Sequence, residues 1–177
     1  WLGFAAKSGV SAVFRETLMG GYYEIVNKTS YLPNPDAFTM ALFSRLMGPT
    51  VLRLELSVSA SASVPNSTEM LRGYAHCSRA ERGATLLLIN LASATDFVVT
   101  IGAASSGGKV EWHLTAPGGD IHAKAMELNG VGLALESNNT AMPAMQGRTS
   151  MDGAVHVAAA SVVFVQLPMS ASPSVCV

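Results

Sequence analysis

From Leu52 to the C-terminal end the sequence alternates between short apolar runs and clusters of Gly, Asn, Ser and Pro. The runs are Leu52–Ser59, Met70–Cys77, Ala84–Leu91, Phe97–Ile101, Val110–Thr115, Ala123–Leu128 and Val162–Leu167. Between them lie turn-forming stretches such as Ser105-Ser106-Gly107-Gly108, Pro117-Gly118-Gly119-Asp120 and Asn129-Gly130. The last of these is a two-residue hairpin signal, because both positions tolerate positive φ. Short strands at this spacing predict a mainly β chain whose C-terminal part is a β-sandwich over residues 52–177. Thr85–Leu91 lacks polar alternation and reads as a strand buried on both faces. Arg72-Gly73-Tyr74-Ala75-His76 alternates as a half-buried strand does. The small, polar Ser57–Ser67 stretch reads as a long loop.

Residues 1–51 have a different texture. Val10–Leu18 is β-branched and apolar and predicts a strand, ended by Gly20-Gly21. A turn-rich stretch with Pro33-Asn34-Pro35-Asp36 follows, in which Asp36 is a plausible N-cap. From Phe38 to Met47 the apolar residues Phe38, Leu42, Phe43 and Leu46 recur at helical spacing, and Gly48-Pro49 is the expected stop. One strand, a loop and a helix do not make a domain. An apolar strand here needs neighbours, so this part is expected to be the incomplete end of something larger. The opening Trp1-Leu2-Gly3-Phe4, without an initiator Met, reads as an internal cut with any signal peptide upstream.

Apolar residues make up 49% of the 177 and charged residues only 13%, a balance that builds a packed core rather than disorder. Eleven Lys and Arg face twelve Asp and Glu, which gives no charge field for nucleic acid. No apolar run has the length of a transmembrane helix. Cys77 and Cys176 are either two reduced thiols or one bridge. A bridge would close a loop of about 100 residues and stabilise by roughly 4–5 kcal/mol. Asn27-Lys28-Thr29, Asn66-Ser67-Thr68 and Asn138-Asn139-Thr140 fit the N-glycosylation triplet on loop-like stretches. With a possible long-range bridge they favour an oxidising compartment: secreted, extracellular or cell wall, alternatively lysosome or vacuole, or membrane-associated.

Chemistry-bearing motifs are few. His76, His113, His122 and His156 are scattered singly, without metal-ligand spacing, and read as structural or surface residues. No cofactor is expected. A glycosidase needs two facing carboxyl groups. Glu16 and Glu24 could be imagined in those roles, but solvated or locally paired carboxylates are the simpler reading. Gly20-Gly21-Tyr22-Tyr23 combines glycines, which allow close approach to a ligand, with tyrosines that offer a flat face and a hydroxyl to a sugar ring. A plain turn with packed tyrosines is the other reading.

Taken in order, several segments resemble glycoside hydrolase family 79, the heparanase-like enzymes, and most closely its plant-type branch. They are Leu2-Gly3-Phe4-Ala5-Ala6, Arg15-Glu16-Thr17-Leu18-Met19-Gly20-Gly21-Tyr22-Tyr23, Leu32-Pro33-Asn34-Pro35-Asp36 and Leu46-Met47-Gly48. Arg72–Cys77, Thr85–Leu91, Trp112–Ala116, Glu127–Gly130 and Val163–Val165 continue the match. The resemblance implies a (β/α)₈ barrel with an attached β-sandwich. Residues 1–51 would be the last strand, loop and helix of the barrel, and the rest of the barrel would be the partner this chain packs on. The substrate implied is a glycan or glycoside containing uronic acid, cleaved at a β-glucuronide bond with retention. Gly21, Tyr22 and Tyr23 map onto a segment that contacts the uronic acid, although the plant-type pattern usually has Asn at the position of Tyr22. Cys77 and Cys176 match a disulfide of the family. Both catalytic glutamates of the family lie upstream of Trp1, so no catalytic residue is expected here. The alternative is a catalytically inactive paralogue that serves as an acidic-glycan-binding or structural module. An unrelated carbohydrate-binding sandwich would not explain the barrel-like start.

Overall fold

The computed structural model describes residues 1–57, 67–101, 108–171 and 173–176. The chain is mainly β, with antiparallel sheets and few helices. A short helix α1 (Leu2–Lys7) comes first. A long irregular segment leads to α2 (Pro35–Leu46), which runs directly into β1 (Met47–Leu52). A single turn, α3 (Ser67–Met70), precedes β2 (Leu71–Ser78) and β3 (Gly83–Asn90). Then come β4 (Phe97–Thr100), β5 (Lys109–Thr115), β6 (Glu127–Leu128) and β7 (Val131–Gly132). The last strands are β8 (Arg148–Ser150), β9 (Ala154–Val157) and β10 (Val162–Pro168).

The main sheet has the order β1-β2-β3-β10-β5-β6-β7, with β8 also paired to β5. β10 therefore lies between β3 and β5, with Phe164 opposite Leu87 on one side and Trp112 on the other. A second, two-stranded sheet pairs β4 with β9.

The pleat explains why β3 and β10 carry unbroken apolar runs. Successive side chains point to opposite faces, and both faces are covered. On one face Leu87, Phe164, Trp112 and Leu114 meet Phe38, Leu42 and Leu46 of α2. Those three helix positions are four residues apart and form one stripe. On the other face Leu86, Leu88, Val163 and Val165 meet Val155 and Val157 of β9, flanked by Phe97 and Val99 of β4.

Several sequence expectations need correction. Val10–Leu18 is not a strand. Its backbone is irregular, and pairing nearby is limited to bridges between Met19 and Val26 and between Val26 and Pro33. A strand needs a ladder partner for its amides, and no neighbouring strand is within reach of this segment among the described residues. Asp36 is not the N-cap: Asn34 takes that position and Pro35 opens the helix, where its missing N–H costs nothing. Gly48-Pro49 does not stop the helix. The turn to extended backbone comes at Met47, and Pro49 falls within edge strand β1, where a proline is tolerated. Of the run Leu52–Ser59 only Leu52 is in a strand, residues 53–57 are irregular, and 58 and 59 lie outside the described residues. Ala123–Leu128 contributes only Glu127–Leu128. The Ser57–Ser67 loop and the Ser105–Gly108 turn also fall largely outside the described residues. The Asn129-Gly130 hairpin is present, with φ of 52° and 80° at its corner and Leu128 paired to Val131.

Candidate functional site

Gly21, Tyr22 and Tyr23 sit at the tip of the segment between α1 and α2. Their loop is closed at its base by backbone bonds from the amides of Ile25 and Val26 to the carbonyls of Thr17 and Leu18, and braced by two charged side chains. Arg15 donates from Nε and Nη2 to the carbonyl of Tyr23, at 3.1 and 2.8 Å. Its Nη1 pairs with Asp36 in the first turn of α2. Glu24 accepts from the amide of Gly20 at 2.7 Å and from the amide of Lys28 at 3.1 Å. The Gly20 amide, chief among these bonds, holds the Glu24 carboxyl below the ordinary carboxylate range. Asn34 donates from Nδ2 to the Glu24 carbonyl at 2.7 Å. The irregular segment around Arg15, the start of α2 and the loop are thus linked through Arg15, Glu24 and Asn34.

Gly20 takes φ of +85°, and Gly21 lies so close to Thr17 that a Cβ there would be 2.8 Å from Thr17 Oγ1. The two glycines let the chain turn and lie flat on Thr17. The tyrosines do not pack: Tyr22 is fully exposed and Tyr23 is 77% exposed. Beside the loop runs a groove of about 770 Å³, lined by Trp1, Phe14, Arg15, Tyr23, Met40 and Phe43 among others. Trp1 and Phe14 are each 92% exposed.

Glu24 spends its oxygens on backbone amides, and Glu16 lines the open groove. Among the described residues no group of three or more His, Cys, Asp or Glu could hold a metal ion. No helix is long and apolar enough to cross a membrane. Cys77 and Cys176 are bonded, with Cα atoms 5.2 Å apart across a separation of 99 residues. Of the three glycosylation triplets, Asn138 is exposed on a turn, while Asn27 is half-buried and its Oδ1 accepts the amides of Thr29 and Ser30. Asn66 lies outside the described residues.

The histidines are single residues in different settings. His76 is buried, with Nδ1 2.7 Å from the Gly48 carbonyl. His122 is exposed and His156 pairs with Asp96 at the surface. His113 belongs to a buried charged row that the sequence reading missed. On one face of β5, Lys109 Nζ and His113 Nε2 lie 3.0 and 2.7 Å from the two oxygens of Glu111, and Arg148 is 3.5 Å away. Burial pushes the Glu111 carboxyl up, but the bonds from His113 and Lys109 outweigh it and the net shift is downward. The signal was available: Lys-x-Glu-x-His has the strand period of two.

Comparison with known proteins defines the class. The fold is shared with the GH51 arabinofuranosidase from Xanthomonas axonopodis pv. citri, at a TM-score of 0.55 and 15% identity over 93% of this chain and 33% of that one. No protein-family model matches. In sequence, the chain is 30% identical to Heparanase-like protein 1 of Arabidopsis thaliana over 94% of its own length and 35% of that protein. It is 29% identical to Baicalin-beta-D-glucuronidase of Scutellaria baicalensis, over 99% of this chain and 32% of that enzyme. It is also 29% identical to Inactive heparanase-2 of Homo sapiens, over 83% of this chain and 26% of that protein. The chain is similar over nearly its whole length to heparanase-like proteins, and it spans about a third of the length of the relatives it matches.

Proposed function

We propose that this chain is the C-terminal part of a retaining glycoside hydrolase that acts on β-glucuronide linkages of glycans or glycosides. The observation that carries the proposal is the collinear similarity to heparanase-like proteins and to a β-glucuronidase over nearly the whole chain. In this reading residues 1–51 complete a glycosidase barrel and residues 52–177 form the β-sandwich beside it. Gly21, Tyr22 and Tyr23 form one wall of the uronic-acid site. The acid/base and nucleophile glutamates come from the remainder of the polypeptide. The exposed apolar side chains of the first segment support this, because Trp1, Phe4, Val10, Phe14 and Leu18 leave a hydrophobic band that barrel neighbours would cover. Secretion, glycosylation at Asn27, Asn66 or Asn138, and an extracellular or vacuolar setting belong to the same proposal.

A second reading is favoured by one observation, the similarity to an inactive heparanase-2. There the full polypeptide keeps the fold and an acidic-glycan surface without turnover. An aryl β-glucuronide assay separates the two. The full-length polypeptide is expected to release the chromophore and this chain alone to release none. Turnover by the isolated chain that survives repurification would sink the assignment of the glutamates. Binding without turnover by the full-length protein would establish the second reading.

A further inference from the structure

We infer that Arg15 and Glu24 are positioning residues for substrate binding: Arg15 fixes the Gly20–Tyr23 loop to helix α2, and Glu24 braces the loop against its own return segment. The inference rests on the reading of this loop as a wall of the glucuronide site. Three observations lead to it.

The first is that the tyrosine side chains are not held by packing. Within this chain Tyr22 and Tyr23 are exposed, so the contacts it supplies to hold them act on the backbone that carries them. The second is where that backbone is held. Arg15 grips the Tyr23 carbonyl with two N–H groups, and its guanidinium is itself fixed by Asp36 at the start of α2. A planar fork can do both at once, whereas a lysine ammonium lacks that geometry. On the other flank Glu24 binds the Gly20 amide, and its second oxygen binds the Lys28 amide further along. Bonds from amides to an ionised acceptor are stronger than neutral ones. The third is that α2 is the best-anchored element nearby, with Phe38, Leu42 and Leu46 buried against the main sheet. Arg15 thus transmits the rigidity of the core to the loop, and Glu24 holds the loop's two flanks together. Neither residue need touch the sugar to act. Both lower the conformational freedom the loop would otherwise lose on binding.

The test uses the full-length polypeptide that carries this sequence, with Arg15→Ala, Arg15→Lys, Glu24→Ala and Glu24→Gln. Circular dichroism confirms folding, and the two Glu24 variants, at a half-buried position, guard against loss of the arginine variants. Two quantities are measured. One is the rate of chymotryptic cleavage after Tyr22 or Tyr23, with the fragments identified by mass. The other is the dissociation constant of methyl β-D-glucuronide. Both alanine variants are expected to cleave faster and to bind about tenfold more weakly. Arg15→Lys and Glu24→Gln should fall between them and wild type, a graded rescue that general destabilisation would not give. Unchanged cleavage in folded variants overturns the inference, whatever the affinity does. Faster cleavage with unchanged affinity would show a clamped loop that is no part of the sugar site, and so would remove the reading on which the inference rests.

Discussion

Glu111 shows how much one side chain can carry. It is 2% exposed, with Lys109 and His113 on its two oxygens. A buried carboxylate is tolerated only while its partners remain. Glu111→Ala would leave Lys109 buried without its counter-ion and should destabilise by about 3–5 kcal/mol in urea unfolding. The pH dependence has a definite sign. The folded carboxyl titrates below its usual value of 4.5, so the unfolded chain takes up protons first on acidification. The stability this group contributes is fully present above its unfolded pKa and is lost as pH falls through its folded pKa. Glu111→Gln should flatten the fall in unfolding free energy between about pH 5 and lower values. An unchanged acid limb would show that other carboxylates set it. The pattern was visible in the sequence but its burial was not, because alternating charges on a strand ordinarily mark a solvated face. Here β8 and the Asp152 carbonyl cover them, and that contact is more than 35 residues away along the chain.

Elements were legible wherever their own residues supplied the reason to form. β3 and β10 announce themselves by runs of Leu and Val that can be buried on both faces, and the stripe Phe38, Leu42, Leu46 announces α2. Short strands failed the same test. β9 offers only Val155 and Val157 and forms by pairing with the equally short β4, and β8 has no apolar core residue and exists because the longer β5 provides its ladder. The error at Val10–Leu18 is the converse, strong strand propensity with nothing to pair. In the candidate site the Gly-Gly-Tyr-Tyr signal could be read, but the tethers from Arg15 and Glu24 could not, since they depend on the loop's own fold. Helix α2 is the element on which the site depends most. Leu42 is fully buried at the centre of its stripe. Leu42→Ala should cost about 2–5 kcal/mol by thermal or urea unfolding. A loss well below 1 kcal/mol would mean that α2 is not packed on the sheet as described.

Across the molecule, the Cys77–Cys176 bond ties the last described turn to β2, next to the edge strand β1 into which α2 runs. Closing a loop of this length removes entropy from the unfolded chain and should stabilise by roughly 4–5 kcal/mol. Reduction is therefore expected to lower the melting temperature by something on the order of 10 °C. An unchanged melting curve after verified reduction would contradict this. The position of β10 matters in another way. It is the seam of the main sheet, yet a ribosome makes it on the order of 80 residues after the β3 positions it pairs with. Until it emerges, β3 on one side and β5 on the other each present an open edge with apolar side chains above and below. A nascent chain paused in that interval is two half-sheets awaiting a shared strand. A nonsense mutation anywhere before Val162 would yield a product destined for chaperones and proteases rather than a shortened but working protein.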